Sequence, residues 1–166
     1  MAPARPEPAP ALDTPTVTPA FTAPPTTPIP SLSSVIWTVL IGCDRVYYDM
    51  RKAEPGLAGS AVEFPVHASE RRVPLVGRQM RIGRRSAARE LIPDIDLAGP
   101  PADPGISRLH AVLLAASDGT WAIVDPGSAN GTILNGRQLA VGEPATLHEG
   151  DRINLGAWTV ITVHRG

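Results

Sequence analysis

From about residue 35 onward, short apolar runs alternate with turn-forming residues. Runs rich in β-branched and aromatic residues, typical of strands, lie at residues 35–41, 45–49, 62–66, 73–76, 81–83, 94–97, 110–114, 120–124, 132–134, 145–147, 151–155 and 158–163. Gly, Pro or Asn separates the runs, and no stretch keeps a helical period for three turns. The pattern predicts an all-β sandwich or barrel, and only residues 86–91 suit a short helix.

A hairpin and a core can also be placed. Asn135 and Gly136 both tolerate the positive φ that a type I′ turn requires, so this pair predicts a two-residue hairpin. Trp37, Trp121 and Trp158 stand in predicted strands with many aliphatic residues. A chain of this length can bury a core of that size.

Residues 1–34 differ from the rest in composition. They hold ten of the nineteen prolines, six threonines and three charged residues. Proline blocks helix and central strand, and little apolar surface is present to offset the entropy of ordering. We therefore expect a disordered Pro/Thr-rich tail at 1–34 and a folded domain at 35–166.

Charge and cysteine content narrow the function classes. The formal net charge is −1, which offers no overall attraction to nucleic acid or to an anionic membrane. Cys43 is the single cysteine, and the four histidines show no metal-ligand spacing, so we expect no disulfide, metal or cofactor. No apolar run reaches the roughly 20 residues of a membrane span, and no signal peptide is visible. We expect a cytoplasmic monomer.

Three residues near predicted strand ends have side chains suited to an anion or a peptide backbone. Arg84 follows Gly83, where a sharp turn would project the guanidinium over a rim, and its paired donors match two phosphate oxygens. Ser107 precedes a strand, so its hydroxyl and the following amides can bind oxygens. Asn130 has an amide that can both donate to and accept from an extended peptide, although a purely structural left-handed turn explains an Asn there equally well.

Two other functions remain open at this point. Seven arginines and no acidic residue lie between residues 71 and 89, which permits nucleic-acid binding as an alternative to a solvated strand face. Ser107 and His110 could form part of a hydrolase site, but the serine is not in a Gly-x-Ser-x-Gly turn and no third group orients the imidazole. We interpret His110 as a buried histidine whose ring nitrogens bind loop backbone.

Four short segments in fixed order, at residues 81–84, 105–110, 125–132 and 149–156, resemble the forkhead-associated (FHA) domain. The resemblance covers about residues 73–163, and strands from residue 35 would complete the sandwich. It implies an FHA-type β-sandwich of about eleven strands that binds phosphothreonine peptides and is not an enzyme. The partner would be a threonine-phosphorylated protein, that is, a Ser/Thr kinase or its substrates, with no nucleic acid or membrane involved.

The resemblance also implies a role for individual residues. Arg84 and Ser107 would contact the phosphate, and Arg108 would support them. Asn130 would bind the peptide main chain. Structural support of the site would come from Gly83, His110, Gly131 and Asn135. Asp151 matches a structural turn of the family.

Two features of the chain differ from the usual FHA pattern, and the tail offers a regulatory alternative. Ala129 stands where the family usually has Thr or Ser, which could weaken phosphate binding by roughly 0.5–1.5 kcal/mol. Residues 85–92 make the first loop longer than usual, so ligand preference could differ. Alternatively, phosphorylated threonines of the tail (Thr14, Thr16, Thr18, Thr22, Thr26 and Thr27) would occupy the chain's own pocket.

Overall fold

Eleven strands and one α-helix make up the regular structure of residues 35–55 and 61–166, which are the residues that this computed structural model describes. The strands are β1 (Trp37–Cys43), β2 (Arg71–Pro74), β3 (Gln79–Gly83), β4 (Ile95–Asp96), β5 (Ala111–Ala115), β6 (Trp121–Val124), β7 (Thr132–Leu134), β8 (Arg137–Gln138), β9 (Ala145–Leu147), β10 (Arg152–Leu155) and β11 (Thr159–Arg165). The helix is α1 (Arg45–Ala53), and a 3₁₀ turn covers Ala87–Arg89. The predicted tail at 1–34, with its threonines, lies outside the described residues.

The strands form two sheets. One has six strands in the order β2-β1-β11-β10-β7-β8, and the other has five in the order β4-β3-β5-β6-β9. All neighbouring strands are antiparallel except β3 and β4, which are parallel. The prediction of an all-β sandwich of about eleven strands is therefore confirmed for the described part of the chain.

The core lies between the two sheets and follows from alternation along the strands. In β1, Trp37, Val39 and Ile41 are buried while the residues between them are partly exposed. In β6, Trp121 and Ile123 alternate in the same way. Successive side chains of a strand point to opposite faces, so β1 and β6 each contribute every second residue to one continuous apolar cluster.

The predicted strand at residues 45–49 is wrong, because these residues belong to α1. Asp44 caps the helix by accepting a hydrogen bond from the Tyr47 N–H at 3.0 Å. Tyr47 and Tyr48 are both buried in the helical conformation. The Tyr47 hydroxyl donates to the Gly156 carbonyl at 3.1 Å, so burial against a distant turn overrides the local strand preference.

The predicted strand at residues 62–66 is also wrong, because these residues form no ladder and instead cover α1. The Tyr48 hydroxyl donates to the Val62 carbonyl at 2.6 Å, and the Tyr48 and Phe64 ring centroids lie 5.4 Å apart. Residues 86–91, the predicted place for a short helix, contain only the 3₁₀ turn.

The predicted hairpin at Asn135-Gly136 is confirmed. Both residues have positive φ, 50° and 81°, and they connect Leu134 of β7 to its paired residue Arg137 of β8. In the part of the chain that the structure describes, no helix is long and apolar enough to cross a membrane.

Candidate functional site

Three loops meet at one end of the sandwich, namely β3–β4, β4–β5 and β6–β7. They enclose a groove of about 490 Å³ that is lined by Arg84, Arg89, Leu91, Pro104, Gly105, Ile106, Ser107, Arg108, Leu109, Ala129 and Asn130. All four residues that were predicted to bind a phosphopeptide line this one groove. The structure therefore brings together side chains that are up to 46 residues apart in the chain (Arg84 to Asn130, 130 − 84 = 46).

Gly83 lets the end of β3 touch the β4–β5 loop. A Cβ at this position would lie 2.0 Å from the Arg108 carbonyl oxygen. The next residue, Arg84, donates its N–H to the Ser107 carbonyl at 3.1 Å. Gly83 is not among the glycines with positive φ, so the expected sharp turn is not the reason for a glycine here. The close approach of two backbones is the reason.

Arg84 differs from its arginine neighbours. Arg81 and Arg85 pair with Asp94 at 3.4 Å and Asp96 at 2.6 Å, both of which follow the arginine run in the chain. Among the described residues, the Arg84 guanidinium has no hydrogen-bond or ion-pair partner, and the residue is exposed at the groove. The run from 71 to 89 thus contains both side chains that pair within the protein, such as Arg81 and Arg85, and side chains that line the groove, Arg84 and Arg89.

Ser107 retains a donor that faces the groove. Its Oγ accepts a hydrogen bond from the Ala129 N–H at 3.0 Å, which leaves the hydroxyl proton available to another acceptor. This bond also ties the β4–β5 loop to the β6–β7 loop. Ser107 and Ala129 therefore hold the two loops at the spacing that forms the groove.

His110 connects the same two loops through both of its ring nitrogens. Its Nδ1 accepts from the Ser107 N–H at 3.0 Å, and its Nε2–H donates to the Gly131 carbonyl at 3.0 Å. The side chain is fully buried, and burial lowers the pKa of the imidazole below its ordinary value. Both ring nitrogens are engaged by backbone groups, so neither is placed to act as a base for Ser107, as a hydrolase would require.

Asn130 is held by the β4–β5 loop. Its Nδ2 donates to the Gly105 carbonyl at 2.8 Å. Asn130 does not have a positive φ, so a left-handed turn does not explain an Asn at this position, whereas Gly131 beside it has φ 76°. Among the described residues no donor is bonded to Oδ1 of Asn130, which leaves an acceptor and the second N–H hydrogen at the groove.

Two buried aspartates that were not among the predicted site residues shape the loops. Asp103 is 2% exposed and accepts the N–H groups of Gly105, Ala157, Trp158 and Thr159 as well as the Thr159 hydroxyl. This carboxylate joins the β4–β5 loop to the start of β11. A Cβ on Gly156 would lie 2.6 Å from Asp103 Oδ2, so that glycine is needed for space as well as for its φ of 61°.

Asp125 acts in the same way in the β6–β7 loop. It accepts from the Gly127 N–H at 2.8 Å and from the N–H and hydroxyl of Ser128. Burial alone would raise the pKa of the Asp125 carboxyl, but these hydrogen bonds outweigh it and hold the pKa below its ordinary value. Asp-Pro-Gly occurs at both 103–105 and 125–127, and this repeated triplet was the available sequence signal.

Helix α1 also reaches the site, which its prediction as a strand concealed. Arg51 donates from Nη2 to the Asn130 carbonyl at 3.4 Å and pairs with Glu54 through Nη1. The Arg51 side chain is only 12% exposed. Within residues 35–55 and 61–166, no three His, Cys, Asp or Glu side chains lie close enough to hold a metal ion.

The fold and the groove together define a β-sandwich domain with a ligand site built from the loops at one end. The FHA-domain family model matches residues 80–156, which include every loop of the groove. The chain contains an FHA domain. FHA domains are binding modules for phosphothreonine peptides and are generally not catalytic.

Relatives support this assignment over part of their length. Protein FraH of Nostoc sp. is 39% identical over 70 residues, which are 42% of this chain and 24% of that protein. The human angiogenic factor with G patch and FHA domains 1 is 37% identical over 65 residues, 36% of this chain and 9% of that protein. The chain spans less than a quarter of the length of these curated relatives.

Solved structures agree on the fold. The FHA domain of a hypothetical protein from Arabidopsis thaliana has a TM-score of 0.52 and 26% identity, covering 80% of this chain and 86% of that one. An engineered FHA domain solved with a Myc-pTBD peptide has a TM-score of 0.51 and 17% identity, covering 80% and 93%. At that lower identity the likeness concerns the fold alone.

Proposed function

We propose that this domain binds threonine-phosphorylated segments of partner proteins and performs no catalysis. The observation that carries the proposal is that Arg84, Ser107 and Asn130, from three different loops, line one groove with spare hydrogen-bonding capacity. A concave site with a few polar groups converging from different loops is the arrangement expected of a ligand site.

Each residue has a role that its geometry suits. The Arg84 guanidinium would bind two phosphate oxygens through paired N–H donors, and the Ser107 hydroxyl would donate to a third. Arg108, exposed on the same groove, would support the phosphate, and Asn130 would bind the peptide main chain. His110 and Gly83 act on the ligand only through the loops that they hold.

Phosphothreonine fits this set of groups better than a carboxylate. It has about −1.5 to −2 charges and three acceptor oxygens, whereas Asp has one charge and two oxygens. Hydrogen bonds to charged groups contribute about 1.5–3 kcal/mol each, so the additional bond decides between strong and weak binding. We infer that the partners are Ser/Thr kinases or their substrates, met in the cytoplasm by a monomeric domain.

Titration calorimetry with matched phosphorylated and unphosphorylated threonine peptides tests the proposal. Arg84→Ala should weaken phosphopeptide binding roughly 10- to 150-fold, and Ser107→Ala, which removes one hydrogen bond to the same charged group, by roughly 10-fold or more. Arg78→Ala is the matched control because Arg78 is an exposed arginine just before the other end of β3. Equal affinity for the phosphorylated and unphosphorylated peptides, or an Arg84→Ala effect no larger than that of Arg78→Ala, would refute the proposal.

A further inference from the structure

The groove holds more positive charge than one phosphate requires. Arg84, Arg89 and Arg108 all line it, and none of its lining residues is acidic. A phosphothreonine brings about −1.5 to −2 charges. Three guanidinium groups therefore leave a positive surplus of about one charge beside the bound phosphate, and nothing in the lining neutralises it.

One of the three arginines, Arg89, lies in the long β3–β4 loop, which forms a closed turn. Ser86 and Leu91 exchange backbone hydrogen bonds at 3.0 and 3.2 Å, and the Arg89 N–H donates to the Ser86 carbonyl at 3.2 Å. Glu90 has a left-handed φ of 51°, which reverses the chain immediately after Arg89. A turn closed in this way presents Arg89 and Leu91 together to the groove.

The base of the loop is braced by the arginines on either side of Arg84. Arg85 pairs with Asp96 at 2.6 Å, and Arg81 donates to the Ile92 carbonyl at 3.2 Å. These side chains are used to hold the loop. Among the described residues the Arg89 guanidinium has no partner, although Arg89 belongs to the same run and the same loop.

We propose that Arg89 binds a second anionic group, a carboxylate or a phosphate, on the same phosphothreonine segment. The domain would then select segments with an acidic or phosphorylated residue next to the phosphothreonine, and Leu91 would contact the aliphatic part of the chain between the two anions. This proposal rests on the proposed function, because it assigns Arg84 and Ser107 to the first phosphate. The chemistry is the same for both sources of the anion, namely an oxyanion accepting paired guanidinium donors.

The test uses synthetic peptides with one phosphothreonine in a neutral background. One series places a single Asp at each neighbouring position in turn, and a second series places a phosphoserine there. At one or more positions the second anion should tighten binding roughly two- to fivefold for Asp, the range of exposed ion pairs, and more for phosphoserine. Comparison of the two series shows which source of the anion the site prefers.

Three variants show whether Arg89 causes the gain. Arg89→Gln should abolish the gain while retaining binding of the singly phosphorylated peptide, and Arg78→Gln, an equal loss of charge outside the groove, should leave the gain unchanged. Arg89→Glu should reverse the preference, so that Lys at the favoured position binds better than Asp. A thermal melt of each variant checks that the fold is intact, as the exposure of Arg89 leads us to expect.

The outcomes separate the two proposals. If a second anion raises the affinity at no position, or if the gain in affinity persists in Arg89→Gln, the Arg89 proposal is wrong. Binding of the singly phosphorylated peptide would in that case still support the proposed function. If no phosphothreonine peptide binds at all, both proposals are wrong.

Discussion

Two Asn-Gly pairs lie close together in this chain and are used differently. Asn135-Gly136 closes the β7–β8 hairpin, and both ends of the Asn135 amide are occupied: Nδ2 donates to Asp151 at 2.8 Å and Oδ1 accepts from the Arg152 N–H at 2.9 Å. Asn130-Gly131 lies at the groove, where the Asn130 amide makes one hydrogen bond within the described part of the chain, to the Gly105 carbonyl.

The difference shows how one dipeptide can serve a turn or a site. Asn135 has a left-handed φ of 50°, so the backbone itself favours Asn there, whereas Asn130 lacks a positive φ. The glycines behave alike, with φ of 76° at Gly131 and 81° at Gly136. In the hairpin, both ends of the asparagine amide form hydrogen bonds within the protein. At the groove, one hydrogen bond to a described residue positions the asparagine, and its other polar groups are available to a ligand.

The largest expected effect contrasts a glycine required for space with one required for conformation. Gly83→Ala would force a Cβ to 2.0 Å from the Arg108 carbonyl, and we expect the free energy of unfolding to fall by about 3 kcal/mol or more. Gly136→Ala meets no atom within 4 Å and should lose only about 1–2 kcal/mol through its positive φ. Urea unfolding measures both, and equal losses would contradict the assigned role of Gly83.

The next comparison replaces each of the two asparagines, Asn135 and Asn130, with alanine. Asn135→Ala should lower the free energy of unfolding by about 1–2 kcal/mol and leave phosphopeptide affinity unchanged, because its two bonds are internal. Asn130→Ala should lower the free energy of unfolding by less, about 0.5–1.5 kcal/mol, and should also weaken phosphopeptide binding. Denaturation and calorimetry on the same samples provide both readouts. Loss of affinity in Asn135→Ala with none in Asn130→Ala would reverse the distinction.

A pH series tests how the groove end is held. Burial depresses the pKa of His110 in the folded state, so the unfolded chain binds more protons as pH falls below about 6.5. The free energy of unfolding of the unliganded domain should therefore fall from about pH 6.5 downward, by at most about 1.4 kcal/mol per pH unit, until the folded pKa is reached.

His110→Gln should remove this pH dependence, and His148→Gln, which changes an exposed histidine in the β9–β10 turn, serves as the control. Loss of the carboxylate contributions, such as that of Asp125, belongs to a separate window at and below its ordinary value of 3.8. A flat profile between pH 6.5 and 5 in the unaltered protein would refute the buried neutral imidazole.

The smallest expected effect concerns Ala129. Its N–H already bonds the Ser107 hydroxyl, and its side chain faces the groove without a polar group. Ala129→Thr adds the hydroxyl that the family usually has and should tighten phosphopeptide binding by roughly 0.5–1.5 kcal/mol. Ala140→Thr, an exposed alanine outside the groove, is the control in the same calorimetric titration. No gain from Ala129→Thr would show that the two hydroxyls are not both within reach of the phosphate.

Much of the fold was predictable because the strands alternate regularly. The burial of Trp121 and Ile123 follows from period two alone, and the Asn135-Gly136 turn follows from which residues accept positive φ. Helix α1 was not predictable in this way, since Tyr47 and Val46 have strand preferences. Its stability comes from a cap at Asp44 and from burial of tyrosines against Gly156 and Val62.

The candidate site was predictable only in part. The resemblance to a known family pointed to Arg84, Ser107 and Asn130, but the seven arginines looked alike in sequence. The acidic partners of Arg81 and Arg85 lie beyond the run, at Asp94 and Asp96, and only the fold returns them to it. For the same reason the sequence showed neither the presence of Arg89 in the groove nor the contact between Arg51 and Asn130.

Local patterns alone determined that this protein is an all-β sandwich or barrel with a hairpin at Asn135-Gly136, because strand alternation and turn conformation depend on neighbouring residues. Tertiary structure alone decided which polar side chains are engaged and which remain available. Pairing depends on the distance between groups far apart in the chain, such as Asp103 with Thr159 or Ser107 with Ala129, and only the packed sheets set those distances.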